Sequence, residues 1–80
     1  MKYLKIKDNV DLKELEKFRF NYTSGEDWHI FYDNVSVSLG DGREIVIDFN
    51  DMDYDEQEIM QVIFLIYDLI KADLVEVIEE

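Results

Sequence analysis

Residues 55–72, DEQEIMQVIFLIYDLIKA, decide how the rest of this 80-residue chain must fold. Apolar side chains recur there at the spacing of one helix face. The spacing predicts a helix over 55–72, with Asp53 or Asp55 as the N-cap and Glu56 or Glu58 three residues further on. The predicted core-facing stripe consists of Ile59, Val62, Ile63, Ile66, Leu69 and Ile70.

This helix carries more apolar surface than one face of a small sheet can cover. Met60, Phe64, Leu65 and Tyr67 lie outside the predicted stripe, so the segment is apolar nearly all round. Such a helix is normally buried on more than one side. We therefore expect a second surface to cover it.

The segments before the helix predict an antiparallel meander, because apolar and polar residues alternate between turn-forming residues. Asp33-Asn34 and Gly40-Asp41-Gly42 supply two of the turns. One sheet face should be apolar and the other wet and partly acidic. The inward side chains are predicted to be Trp28, Ile30, Tyr32, Val35, Val37, Leu39, Ile45, Ile47 and Phe49.

The two ends of the chain complete the predicted fold. Residues 2–7 alternate as a strand, and a short helix should follow it, with Asp11 as N-cap and Glu14 reaching back in a capping box. In the tail, β-branched Val75, Val77 and Ile78 favour a strand over a continued helix.

The predicted fold class is therefore α+β, in one domain over residues 1–80. An antiparallel β-meander of about four to five strands is packed by a short N-terminal helix and a longer C-terminal helix. With eighty residues, one core of modest size is all that the chain can build.

Charge is divided unevenly along the chain. The first 19 residues carry six bases and four acids, a formal charge of +2, whereas the last 61 carry two bases and sixteen acids, a formal charge of −14. A field of that sign repels nucleic acid and attracts basic protein. The partner expected from charge is a basic protein with a nucleic-acid-binding groove, with no direct nucleic acid contact.

The acids are densest between residues 48 and 58, where they could be arrayed like the phosphates of a nucleic acid. Arginine binds carboxylates strongly and often through two hydrogen bonds, so such an array suits a basic groove. Solubility alone is the alternative explanation of the charge. The predicted partner-binding residues are Asp48, Asp51, Asp53, Asp55, Glu56 and Glu58, with Asp41 and Glu44 at a sheet turn.

The same run imitates part of a calcium-binding loop. Residues 51, 53 and 55 match its first three ligands, but Glu56 stands where the loop needs glycine and Val62 where it needs a bidentate glutamate. We therefore predict no metal site and no cofactor, although weak binding of a divalent cation to the loop stays open.

No enzymatic activity is predicted. His29 is the only histidine and is expected to be a half-exposed strand residue beside Trp28. The serines therefore have one candidate base, and a chain of this size can hardly enclose the cleft that acid-base catalysis needs.

The chain is expected to act in a reducing cytoplasm. It has no cysteine, and its N-terminus is not that of a secretory signal. The longest apolar run, residues 62–67, is six residues, far below the ~20 that span a bilayer. No membrane partner is expected.

Residues 11–18, DLKELEKF, and 66–76, IYDLIKADLVE, resemble the ends of small phage and prophage proteins of Gram-positive bacteria. The resemblance does not include the acidic middle. Small acidic phage proteins often resemble inhibitors of host defence nucleases, including anti-CRISPR and anti-restriction proteins. The resemblance thus implies an anti-defence inhibitor that acts in the cytoplasm of a bacterial host cell.

The leading hypothesis is therefore a non-enzymatic, protein-binding inhibitor that occupies a basic groove of a host protein. The first alternative is a homodimeric structural or regulatory module that packs through the apolar helix, residues 59–70. The second is an acidic antitoxin that neutralises a basic toxin.

Overall fold

The elements of the fold are given by a computed structural model that describes residues 1–22, 27–49, 53 and 55–80. Within those residues the α+β class, the antiparallel meander and the C-terminal helix are confirmed. In chain order the elements are β1 (Lys2–Ile6), a 3-10 helix (Leu12–Phe18), β2 (Asn21–Tyr22), β3 (Trp28–Tyr32), β4 (Val35–Leu39), β5 (Ile45–Phe49), α1 (Glu56–Lys71) and β6 (Val75–Glu79).

Strands β2, β3, β4 and β5 form the meander in that order. Tyr32 pairs with Val35, so Asp33-Asn34 is the predicted two-residue turn, with Asp33 in the left-handed region at φ 53°. The turn between β4 and β5 is longer than Gly40-Asp41-Gly42, since the Gly40 N–H donates to the carbonyl of Glu44 at 2.8 Å.

The left-handed residue of that second turn is Arg43, at φ 67°, and not a glycine. A Cβ at position 40 would meet the carboxylate end of the Glu44 side chain, which is flexible and can move aside. The glycines therefore indicate the turn in the sequence, but the left-handed conformation falls on Arg43.

The C-terminal tail forms a strand, as predicted, and its partner is β1. The two strands run antiparallel, with Ile6 opposite Val75 and Lys2 opposite Glu79. This two-stranded ribbon adjoins the meander where the Ile6 N–H donates to the Arg43 carbonyl at 3.0 Å.

Arg43 also holds the ribbon to the meander through its side chain. Its guanidinium Nη1 donates to the carbonyl of Lys7 at 2.8 Å and to that of Val10 at 2.7 Å. One of the two bases after position 19 is thus a structural residue.

Side-chain caps set the start of both helices. Asp55 Oδ1 accepts the Glu58 N–H at 2.9 Å, and Asp11 Oδ1 accepts the Lys13 N–H at 3.0 Å. The first helix is of the 3-10 type, and the carboxylate of Glu14 is bound by Lys17 at 2.7 Å instead of closing the predicted capping box.

The side of α1 that faces the core differs from the predicted stripe. Leu65 is buried, whereas Ile63 and Ile70 are 49% and 53% exposed. Periodicity could not fix the rotation, because a helix that is apolar all round offers several equivalent faces. The core comprises Ile6, Leu15, Phe20, Trp28, Ile30, Val35, Val37, Val62, Leu65, Leu69 and Val75.

The inner face of β5 is only partly covered. Ile47 and Phe49 lie on the same face as Val35 and Val37, yet they are 40% and 53% exposed. Helix α1 contacts β4, β6 and the 3-10 helix, so the last strand of the meander keeps apolar side chains at the surface.

Candidate protein-binding surfaces

Five exposed carboxylates gather where β5 leads toward α1, and we call this group the acidic end. Phe49 pairs with Val35, so the end of β5 lies beside the turn between β3 and β4. There the Asn34 side-chain amide donates to the backbone carbonyl of Asp53 at 3.4 Å. The acidic end consists of Asp33, Asp48, Asp53, Asp55 and Glu56, all exposed.

The acidic end also lies at the N-terminus of α1. Unpaired backbone N–H groups and the helix dipole make this a favourable place for negative charge. Asp55 combines two roles there, since one of its carboxylate oxygens caps the helix while the residue remains exposed. Local helix chemistry thus accounts for part of the cluster.

Glu58 was predicted from the sequence to be a partner-binding residue, but it does not belong to this exposed group. Only 8% of Glu58 is exposed, and its carboxylate accepts the backbone N–H of Asn34 at 3.2 Å. The cap at Asp55 turns this side chain toward the sheet, where it joins the first turn of α1 to the turn between β3 and β4. Glu58 is therefore a structural residue.

The other predicted contact residues are not all in one place. Asp41 and Glu44 belong to the turn at the opposite end of β4 and β5, where Leu39 pairs with Ile45. A five-residue strand spans about 16 Å, so these acids form no single patch with the acidic end. Glu44 also accepts the Gly42 N–H at 3.1 Å, and Asp51 lies outside the described residues.

The lysines near the N-terminus pair with other acids. Four ion pairs join described residues, and none of these four involves Asp33, Asp48, Asp55 or Glu56. Exposed pairs of this kind contribute little to stability. The pairs are Lys2–Glu79 at 3.1 Å, Lys5–Asp8 at 3.0 Å, Lys7–Asp73 at 2.7 Å and Lys17–Glu14 at 2.7 Å.

One of these pairs changes the ionisation of both partners. The hydrogen bond from Lys5 lowers the pKa of the Asp8 carboxyl, and the same bond raises the pKa of the Lys5 amine. Both groups are therefore held in their charged forms on the ribbon side of the molecule.

A second surface lies on the side of α1 that faces away from the core. Met60, Ile63, Tyr67 and Ile70 are 43%, 49%, 57% and 53% exposed, and we call them the outer seam. At about 100° per residue they point away from the buried side chains of α1. Their spacing of three, four and three residues is that of a helix-pairing seam.

A cleft of about 520 Å³ separates α1 from the 3-10 helix. Lys17 and Arg19 line one side of it, and Tyr32 and Phe64 contribute aromatic surface. Burial raises the pKa of the Tyr32 hydroxyl, and the nearby Arg19 charge opposes that rise. Asp68 and Gln61 also line the cleft, and Lys17 is paired with Glu14, so this is a mixed polar and aromatic surface.

The outer face of the sheet brings a serine, the histidine and a carboxylate close together. His29 pairs with Ser38 and Asp48 with Ser36, and the His29 ring packs on Phe31 with centroids 4.7 Å apart. His29 is half-buried, as predicted. The face is an open depression, whereas substrate sites usually enclose most of their ligand.

The described residues include neither a cluster of metal ligands nor a membrane-spanning helix. None of the His, Asp and Glu side chains there form a group of three or more that could hold a metal ion. Asp51, the first position of the calcium-like spacing, is not among them. No described helix is both long and apolar enough to cross a bilayer.

Similarity to known proteins offers no guide to the function. Comparison of the chain with protein-family models, with curated proteins and with solved structures gives no match. The function must therefore be inferred from the charge, exposure and geometry of the surfaces described above.

Proposed function

We propose that this protein is a non-enzymatic inhibitor that binds a basic, nucleic-acid-binding groove of another protein through its acidic end. The observation that carries the proposal is the gathering of Asp33, Asp48, Asp53, Asp55 and Glu56 at one end of the fold. The proposed contact residues therefore differ from those predicted from the sequence. Glu58 is buried, and Asp41 and Glu44 lie at the opposite end of β4 and β5.

Electrostatics supports this choice of partner. The formal net charge of the chain is −12, and Asp33, Asp48, Asp55 and Glu56 are exposed and take no part in the four ion pairs described above. A cationic groove would be attracted at long range, and its arginines could form charge-assisted hydrogen bonds on contact. Both effects weaken as salt is added.

The phage-type setting implied by the two ends of the chain selects the first partner class to test. A host defence nuclease has a groove that normally binds phosphates, and a cluster of carboxylates would compete for it. The role proposed on this basis is anti-defence inhibition. A basic toxin is the other partner class, in which case the protein would be an antitoxin.

The proposal is tested by capture from a lysate of Gram-positive bacteria on the immobilised protein. The expected result is a basic nucleic-acid-binding protein that is released by salt and displaced by duplex DNA. Capture that duplex DNA leaves unchanged would contradict the claim that a nucleic-acid groove is occupied.

Two variants with the same change in charge locate the contact. The acidic-end variant carries D48N, D53N, D55N and E56Q, and asparagine at position 55 keeps the helix cap. The control variant carries E16Q, D41N, D68N and E80Q. We expect the first to lose the partner and the second to retain it.

A homodimeric structural or regulatory module is the second candidate function. It is favoured by the outer seam, whose four large side chains are each about half exposed on one side of α1. A concentration-dependent dimer in size-exclusion chromatography with light scattering would support it. A strict monomer at high concentration would remove it.

A further inference from the structure

We propose that two copies of the chain pair through the outer seam with their α1 helices antiparallel. The proposal deepens the second candidate function and rests on it, because it specifies which surface pairs and in which direction. The occupant of the seam is a second copy of this chain.

The order of residues along the outer seam is symmetric, as an antiparallel pair requires. Met60, Ile63, Tyr67 and Ile70 are spaced by three, four and three residues, so the pattern reads the same from either end about position 65. In an antiparallel pair, Met60 would lie level with Ile70 of the partner, and Ile63 level with Tyr67 of the partner. A twofold interface requires this kind of self-complementary surface.

Charge along α1 selects the antiparallel direction. Asp55 and Glu56 lie at its N-terminus, and Lys71 lies at its C-terminus. A parallel pair would bring the two acidic ends together, whereas a sixteen-residue helix separates them by about 24 Å when it is antiparallel. That distance exceeds the ~8 Å screening length at physiological salt, and Glu56 would come near Lys71 of the partner.

The available apolar area indicates a weak dimer. Phe64, which is 58% exposed, borders the outer seam. With about 100 Å² from each half-exposed large side chain, five of them would bury on the order of 500 Å² per copy. A total of about 1,000 Å² is at the lower limit for a specific interface, so dissociation at low concentration is expected.

Antiparallel pairing has a consequence for partner binding. Apart from Glu56, which would come near Lys71 of the partner copy, the acidic end uses side chains other than those of the outer seam, so both surfaces can be occupied at once. The dimer would present one acidic end at each extremity of the helix pair. Each dimer could therefore bind two partner molecules.

Cysteine cross-linking tests the direction cleanly, because the chain has no cysteine of its own. M60C and I70C are prepared as separate full-length proteins, one with a tag that changes its mass. In an antiparallel pair, positions 60 and 60 of the two copies are about 15 Å apart along the axis, beyond disulfide reach. We therefore expect little cross-linking of M60C alone and a mixed disulfide when M60C and I70C are combined.

The outcomes separate the inference from the function on which it rests. A dimer in which M60C cross-links to itself would overturn the antiparallel direction and leave the homodimeric function standing. A dimer that forms no disulfide in either experiment would overturn the choice of surface. A strict monomer would overturn both the inference and the second candidate function.

A matched pair of charge insertions tests the surface without a disulfide. I63E places a charge in the outer seam, and I47E places it on the partly covered inner face of β5. We expect I63E to weaken the dimer at least about tenfold and I47E to have little effect. Equal effects, with circular dichroism unchanged in both variants, would overturn the choice of the outer seam.

Discussion

At the scale of single residues, Glu58 separates structural acids from surface acids. Its backbone N–H is held by the Asp55 cap, and its carboxylate binds the Asn34 N–H. The sequence indicated the cap through its spacing, but it could not indicate burial. Burial of Glu58 depends on the turn between β3 and β4, which lies 24 positions earlier in the chain.

Substitution of Glu58 tests this structural role. E58A would leave the Asn34 N–H without its acceptor and is expected to lower the free energy of unfolding by about 1–3 kcal/mol. E58Q keeps a side-chain oxygen and should retain most of the stability. Urea denaturation followed by circular dichroism measures both, and equal losses in the two variants would contradict the role assigned to the hydrogen bond.

At the scale of elements, local sequence signals were sufficient to predict the bounds of an element whose capping residue is adjacent in sequence. The predicted helix over 55–72 and the observed helix Glu56–Lys71 agree because Asp55 is a side-chain cap. The strand at 75–79 was favoured by β-branched residues, but its pairing with β1 joins the two ends of the chain. No local pattern specifies such a partner.

Arg43 tests how the ribbon and the meander are held together. Two charged hydrogen bonds are lost in R43A, so we expect the free energy of unfolding to fall by about 2 kcal/mol. In a chain of this length that corresponds to roughly 8–16 °C in Tm. K71A removes an equal but exposed charge and is the control. A Tm that falls equally in both variants would show that the two bonds contribute little.

At the scale of the whole molecule, charge and fold work against each other. The chain has a formal net charge of −12 within extents of 36 × 30 × 22 Å. At 10 mM salt the screening length is about 30 Å, so carboxylates repel one another across the entire molecule. At 150 mM it is about 8 Å, and the repulsion becomes local.

Stability should therefore increase with salt. We expect Tm to rise by several degrees between 10 and 150 mM NaCl, measured by thermal denaturation, because screening relieves the repulsion. The acidic-end variant, which has four fewer negative charges, should respond less. A Tm that stays constant or falls would contradict the dominance of repulsion.

The composition predicted that the surface charge is negative, but it did not predict where the exposed acids lie. The run from 48 to 58 read as one acidic stretch, yet the fold exposes Asp48, Asp53, Asp55 and Glu56 and buries Glu58. The turn that contains Asp41 and Glu44 is placed at the opposite end by the antiparallel register. The positions of the acids depend on how the strands pair, and composition carries no information about strand pairing.

The salt dependence of affinity for the captured partner tests most directly whether the acidic end binds a basic groove. Kd is measured between 50 and 300 mM salt for the native protein, the acidic-end variant and the control variant. We expect the acidic-end variant to bind at least about tenfold more weakly with a flatter salt dependence, and the control variant to bind almost as tightly as the native protein. Unchanged affinity and salt dependence in the acidic-end variant would contradict this expectation.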